Sequence, residues 1–148
     1  MSNTFETLTD FPFHAGLTRP QVAQAERARF HALLHRLRWL VPGFALRIGD
    51  RMGKKWLDQT CTIYTNETAA LAEILGAGAY TLNTGYEWCC TTFVRPDENG
   101  MPVMHRTLDW SLAMADFMHV AEYQTPHGPY YDINWPGNSG MINGIAPG

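Results

Sequence analysis

Hydrophobic and polar positions follow two different periods along this chain, with helical spacing in the first half and strand-like runs in the second. From Thr18, a candidate N-cap, to Leu40 the apolar residues recur every three or four positions, which predicts one amphipathic helix. A second helix is predicted over Glu67 to Leu75, with Asn66 as its cap.

Three other regions carry weaker patterns. Residues 1 to 17 look irregular. Residues 44 to 57 contain two glycines among basic and apolar residues, and we interpret them as a short broken helix or a loop. Residues 80 to 88 form an apolar segment that fits either a helix or a strand.

The second half of the chain has the alternation and turn signals of strands. Thr91 to Val94 and Met101 to His105 flank the turn-forming sequence Asp97-Glu98-Asn99-Gly100, which predicts a β-hairpin. Three more strands are predicted at Phe117 to Tyr123, Tyr130 to Trp135 and Ser139 to Ile145. Helices followed by antiparallel strands indicate the α+β class.

The ends of the predicted hairpin carry side chains that could take part in catalysis. Cys90 opens the first strand, and Arg106 and Asp109 close the second. Because a hairpin brings its two ends together, we expect the thiol, the guanidinium and the carboxylate to converge. A thiol beside a cation ionises more readily, and the thiolate is the nucleophile. The alternatives are a buried structural cysteine, a surface ion pair for Arg106 and a turn-forming role for Asp109.

The spacing within this stretch is the basis of a resemblance. A Cys-Thr-Thr start is followed by Gly ten residues after the Cys, Arg at plus sixteen and Leu-Asp at plus eighteen and nineteen; these fall on Cys90, Gly100, Arg106, Leu108 and Asp109. The spacing resembles that of the N-terminal-nucleophile (Ntn) cysteine hydrolases of the choloylglycine hydrolase and penicillin V acylase superfamily. Tyr86-Glu87 and the C-terminal stretch from Gly140 to Gly148 are similar to its acid ceramidase and N-acylethanolamine acid amidase branch.

This resemblance implies a partial αββα sandwich. Residues 1–89 would be a helical segment like a propeptide or α subunit, and residues 90–148 the incomplete start of the catalytic segment. It also implies self-cleavage between Cys89 and Cys90, after which the new α-amine serves as general base. Cys90 would then cleave a fatty acyl amide or a ceramide-like amide through a thioester. Arg106 would favour the thiolate or orient the carbonyl, and Asp109 would assist self-cleavage.

Aromatic and polar residues near these motifs are candidates for the substrate site. Trp88 and Trp110, together with Trp135, could line an acyl pocket, with ordinary core residues as the alternative. Asn143, within the C-terminal motif, is the remaining candidate. Residues 39 to 44, an apolar stretch, could face lipid, but apolar residues at a helix end usually pack inward, and we expect that here.

Histidines and cysteines suggest two other kinds of site, and neither is favoured. His105 stands where the resembled family has Gly, and a Cys90–His105 dyad is conceivable. Because neighbouring strand residues alternate between faces, Arg106 and His105 cannot both approach the thiol, and we favour Arg106. The cysteines lack the spacing of a zinc site, so neither a metal nor a cofactor is predicted. His119 and His127 are expected to face solvent or to lie in loops.

Composition and charge bear on which kinds of partner and which cell compartment to expect. The net charge is −3 and no basic cluster suggests nucleic-acid binding. Three cysteines and an N-terminus without a signal-peptide pattern predict a cytoplasmic protein. The expected partners are an acyl amide substrate and a downstream segment or second chain that completes the fold, and a homo-oligomer is compatible with the sequence. Two alternatives stay open: a non-catalytic fragment or subunit, and an acyltransferase of the penicillin acyltransferase type.

Overall fold

The chain has an α+β fold, as the sequence predicts. The computed structural model describes residues 11–38, 41–60, 63–84, 90–108, 112–140 and 142–145. In chain order the elements are β1 (Phe13–Ala15), α1 (Arg19–Ala25), α2 (Arg27–Arg36), α3 (Gly43–Thr60), α4 (Thr65–Leu75), α5 (Ala79–Thr84), β2 (Cys90–Pro96), β3 (Pro102–Leu108), a 3-10 helix (Leu112–Phe117), β4 (His119–Thr125), β5 (Gly128–Asn134) and β6 (Asn143–Ile145).

The first predicted helix is in fact two helices. α1 follows Thr18, whose backbone N–H donates to Gln21 Oε1 at 2.8 Å, so the predicted N-cap is confirmed. The prediction of one helix as far as residue 40 was wrong, because Glu26 separates α1 from α2. The Glu26 carboxylate is buried and pairs with His14 at 2.7 Å and with Arg29 at 2.8 Å, which fixes the chain at the break.

α3 is a continuous helix of 18 residues where a broken helix or a loop was predicted. Glycines weaken isolated helices by about 1 kcal/mol each, but here they allow close packing against α5. A Cβ atom at Gly49 would lie 2.6 Å from the Thr81 hydroxyl oxygen, and one at Gly53 would lie 2.8 Å from that of Thr84. Tertiary contact therefore explains both glycines and the error in the prediction.

The next two helices differ from the sequence reading at their starts. α4 begins at Thr65, so Asn66 lies within its first turn and does not cap it. α5 shows that the ambiguous apolar segment begins as a helix. Asp50 of α3 caps α5, because its carboxylate accepts hydrogen bonds from the backbone N–H groups of Gly78 at 2.6 Å and Thr81 at 2.8 Å.

A four-stranded sheet has the order β1-β4-β5-β6. β4, β5 and β6 are antiparallel, which confirms three predicted strands with shifted bounds. β1 was missed because its three residues lie in a region without strand alternation, and it pairs with β4 in parallel. The predicted strand start at residue 117 was also wrong, since that residue ends the 3-10 helix.

The main hydrophobic core lies among the helices, and a smaller cluster of Val22, Ala121 and Tyr123 joins α1 to β4 of the sheet. The buried members of the main core come from α1, α2, α4, α5, the 3-10 helix and the residue that follows β5; they include Phe30, Leu33, Leu71, Leu75, Met114, Phe117 and Trp135. The Trp135 indole is 2% exposed and donates to the Met114 carbonyl oxygen at 3.1 Å. Trp135 is therefore a core residue, which was the alternative to a place in an acyl pocket.

Candidate functional site

β2 and β3 form the predicted hairpin, and its turn is held by Asp97. The Asp97 carboxylate accepts hydrogen bonds from the backbone N–H groups of Asn99 and Met101, both at 2.8 Å. These bonds from Met101 and Asn99 lower the pKa of Asp97 below its usual value. Gly100 has a φ of +79°, a conformation that glycine adopts without strain. The sequence-predicted turn is therefore confirmed.

The strand register fixes where Cys90 and Arg106 lie along the hairpin. Cys90 pairs with Leu108, and Arg106 pairs with Thr92. Residues directly opposite each other, and residues two apart on one strand, share a face of the sheet. Cys90 and Arg106 are therefore diagonal neighbours on the same face of the ribbon, at its open end.

His105 lies on the opposite face of the hairpin. Its ring stacks on Phe93, with centroids 4.8 Å apart and planes inclined by 7°. Arg95 Nε donates to His105 Nε2 at 3.2 Å. The register pairs His105 with Phe93, so it stands on the face opposite to Cys90. These contacts do not support a Cys90–His105 dyad.

Several predicted site residues lie at or beyond the limits of the described structure. Trp88, Asp109 and Trp110 fall outside the described residues, as do the side chains of Cys90, Arg106 and Asn143. The Asn143 backbone belongs to β6 and pairs with Ile133, so Asn143 is in the four-stranded sheet and Cys90 is in the two-stranded sheet. The catalytic and substrate-binding roles of all these residues stay predictions.

A buried polar cluster that the sequence reading missed is centred on Arg19 at the start of α1. Its guanidinium lies 3.1 Å from Asp132 Oδ2 and 3.0 Å from Glu67 Oε1. It also donates to the Gly140 carbonyl oxygen at 3.1 Å and contacts the Tyr130 hydroxyl at 3.4 Å. Through these contacts Arg19 joins α1, α4 and the sheet. Most of its N–H donors are occupied, so it has little capacity left to bind a ligand.

Burial dominates the electrostatics of the Arg19 cluster. The Asp132 side chain has no exposed surface, and this burial raises its pKa, although a hydrogen bond from Asn134 and the charge of Arg19 oppose the shift. Burial likewise raises the pKa of Glu67, again against the Arg19 charge. Two carboxylates thus share one guanidinium at a cost in desolvation, which makes the cluster sensitive to loss of the cation.

A second buried polar group lies beside it and includes His119. This residue was expected to face solvent or to lie in a loop, but it opens β4 and is 4% exposed, so that expectation was wrong. Burial lowers the pKa of His119 to about 3, with smaller effects from His14 and the nearby arginines. The ring is therefore neutral at pH 7. His127, by contrast, is exposed in the β4–β5 turn as predicted.

Apolar exposure is concentrated on two of the described elements, the hairpin and α3. Phe93, Val94, Met101 and Met104 are exposed on β2, β3 and their turn. Phe44 is also exposed at the start of α3, so the expectation that the apolar stretch 39–44 packs inward was wrong for this residue. Within the described part of the chain, no three His, Cys, Asp or Glu side chains are grouped as a metal site.

Comparisons of this chain with protein-family models, with curated proteins and with solved structures give no match. Among the described helices, none is both long enough and apolar enough to cross a bilayer.

Proposed function

We propose that this chain is part of a cysteine amidohydrolase that cleaves linear non-peptide amides, with Cys90 as its nucleophile. The observation that carries the proposal is the β2–β3 register, which makes Cys90 and Arg106 diagonal neighbours on one face. Such neighbours lie about 7–8 Å apart, within reach of a long side chain. A guanidinium at that position favours the thiolate and attracts a carbonyl oxygen, so the register supports the spacing-based resemblance to Ntn cysteine hydrolases.

The proposed reaction has two stages. In the first, the Cys90 thiol attacks the carbonyl carbon of Cys89, and the peptide bond breaks to free the Cys90 α-amine and leave the Cys89 acyl group on the sulfur as a thioester. Water then hydrolyses this thioester, which releases the Cys89 carboxylate and restores the Cys90 thiol. In the second, this amine takes the thiol proton, and the thiolate attacks the substrate amide. The amine of the substrate leaves with a proton, and water hydrolyses the acyl thioester to a carboxylic acid. Asp109 assists the first stage.

The exposure of the hairpin supports a further element of the proposal. In the described structure β2 and β3 pair only with each other. Phe93 on one face is 53% exposed, and Val94 on the other is 62% exposed. A two-stranded ribbon with exposed apolar residues on both faces is marginal by itself. We infer that a downstream segment or a second chain adds strands here and completes the surroundings of Cys90.

Hydrolysis of a fluorogenic long-chain acyl amide tests the function. Together with the segment or chain that completes the fold, the wild-type chain should release the fluorescent amine, and Cys90→Ala should abolish the release. Cys89→Ala is the matched control, because it removes the adjacent thiol and should retain activity. Arg106→Lys keeps the charge but loses the planar fork and should lower kcat/KM by about tenfold or more.

Two results would overturn the proposal. The first is equal activity in wild type and Cys90→Ala. The second is a Cys90 thiol that iodoacetamide alkylates no faster than Cys61, because an inert thiol favours a non-catalytic subunit. Transfer of the acyl group to an added amine in preference to water would instead identify an acyltransferase that uses the same nucleophile.

A further inference from the structure

α3 carries an unusual row of exposed apolar side chains. Phe44, Ile48, Met52 and Trp56 are spaced four residues apart and are 69%, 55%, 67% and 47% exposed, respectively. At about 100° per residue, this spacing gives one continuous stripe along the helix. We call these four residues the α3 stripe. Single exposed apolar residues need no explanation, but a row of four large ones along three turns does.

Packing against α5 fixes the direction in which the α3 stripe faces. Gly49 and Gly53 make the close approach to α5, and Gly53 and Leu57 are the buried residues of α3. Asp50 holds the start of α5 through its backbone N–H groups. These contacts occupy the side of α3 away from the stripe. The stripe is therefore held outward by the fold and is not the face that α3 uses to join the core.

Basic residues border the stripe on one side. Arg47, Arg51 and Lys55 are exposed and also recur every four residues, so they form a second row beside the apolar one. The acidic residues of α3 are both engaged: Asp50 caps α5, and Asp58 pairs with Lys54 at 2.8 Å. The exposed side of α3 is therefore locally basic, although the chain as a whole has a net charge of −3.

We propose that α3 docks in the plane of an anionic lipid surface. Helices that lie at such a surface have large apolar residues on one side and Lys or Arg beside them, with aromatic residues at the headgroup level. The α3 stripe forms a ridge, and a fluid headgroup layer can adapt to a ridge, whereas a protein partner would need a matching groove. The basic row complements anionic headgroups, while a second copy of this chain would bring another basic row.

This proposal goes beyond the proposed amidase function and does not depend on Cys90. Lipid binding is measured without any substrate, so failure of one proposal leaves the other intact. If both hold, docking of α3 would bring the chain to the surface where fatty acyl amides are found.

Co-sedimentation with vesicles tests the apolar contribution. The wild-type chain should bind vesicles of phosphatidylcholine and phosphatidylserine, and bind vesicles of phosphatidylcholine alone far more weakly. Phe44→Ser combined with Met52→Ser should lower the affinity by more than about tenfold, because the two most exposed stripe residues are lost. Val94→Ser combined with Met101→Ser removes two apolar residues of the hairpin that are each 62% exposed, and this variant should bind like wild type.

Charge is tested by a second pair of variants. Arg51→Gln combined with Lys55→Gln should lower the affinity for the anionic vesicles by about 30-fold, since each basic residue near such a surface contributes about a fivefold change. Arg27→Gln combined with Arg38→Gln makes the same charge change on exposed residues at α2 and just beyond it and should have little effect. Circular dichroism of each variant shows whether the helices are retained.

Three outcomes would overturn the proposal. One is a wild-type chain that stays in the supernatant with both kinds of vesicle. Another is equal loss of binding in the stripe variants and their controls. The third is a concentration-dependent dimer in gel filtration that the stripe variants abolish, because a second copy would then cover the stripe. Quenching of Trp56 fluorescence by brominated lipid, absent in Trp56→Phe, would place the stripe itself in the lipid.

Discussion

Replacing Arg19 by Met should destabilise the chain strongly, because it leaves a buried carboxylate without its cation. The Arg19 side chain is 18% exposed and that of Asp132 is fully buried, with 3.1 Å between Nη1 and Oδ2. Removing one partner of a buried ion pair costs about 3–5 kcal/mol. Met has a similar length and is apolar, so the variant tests the charge and the hydrogen bonds more than the packing.

The free energy needed to protonate Asp132 sets an upper limit on the part of this destabilisation that comes from its unpaired charge. Neutralising a carboxyl with an unfolded pKa of about 3.9 costs about 4 kcal/mol at pH 7 and about 1.5 kcal/mol at pH 5. In the variant the folded pKa of Asp132 rises further above its unfolded value. Below the unfolded pKa, Asp132 is neutral in both the folded and the unfolded chain, so its burial costs no charge desolvation. The stability of the folded variant is then lost as pH rises through the folded pKa. The destabilisation should therefore be large at pH 7 and should shrink toward pH 5.

Urea unfolding followed by circular dichroism at pH 5 and pH 7 measures this effect. At pH 7 the Arg19→Met midpoint should fall by roughly 2 M, given typical urea slopes for small domains. Asp132→Asn should be milder, and adding it to Arg19→Met should recover part of the loss, because the unpaired charge is gone. Lys54→Met breaks the exposed pair with Asp58 and should leave the midpoint unchanged. Equal midpoints for Arg19→Met and Lys54→Met, or a loss independent of pH, would refute the reasoning.

Two further predictions concern His119 and Gly137. The folded pKa of His119, about 3, lies below its unfolded value, so its contribution to stability is fully present above pH 6.5 and is lost as pH falls toward 3. The free energy of unfolding, measured with urea, should therefore fall by about 1.4 kcal/mol per pH unit over this window, and His119→Phe should flatten the profile. Gly137 has a φ of +82°, and a Cβ there would lie 2.6 Å from Leu75 and 2.8 Å from Phe30. Gly137→Ala should lower the free energy of unfolding, measured by heat or urea, by about 2–4 kcal/mol. Gly140→Ala, where the nearest neighbours of a Cβ would be at 3.9 Å, should change it by less than about 0.5 kcal/mol. Similar losses for both variants would contradict the close contact at Gly137.

Features that depend on residues close together in the chain could be predicted from the sequence. The hairpin follows from turn chemistry confined to the few residues around Asp97 and Gly100. The N-cap follows from Thr18 alone, and its bond to Gln21 lies only three residues away. These features need no knowledge of distant parts of the chain. The α+β class follows in the same way from the order of periodic segments.

Features that depend on distant contacts were missed. The glycines of α3 read as helix breakers, and only the approach of Thr81 and Thr84 explains them. Arg19 and Tyr130 are 111 residues apart, so no local pattern could show that they meet. His119 lies within the strand predicted over Phe117 to Tyr123, but no local pattern indicated that its side chain is buried. The spacing that links Cys90 to Arg106, by contrast, was visible in the sequence.

The intact mass of the purified chain tests the role of Cys90 most directly. The wild-type protein should convert into two pieces that divide between Cys89 and Cys90, and Cys90→Ala should stay whole. Cys89→Ala should still convert, since its thiol has no part in the reaction. A wild-type chain that stays whole after long incubation, with Cys90 alkylated no faster than Cys61, would contradict the proposal that Cys90 is a self-activated nucleophile.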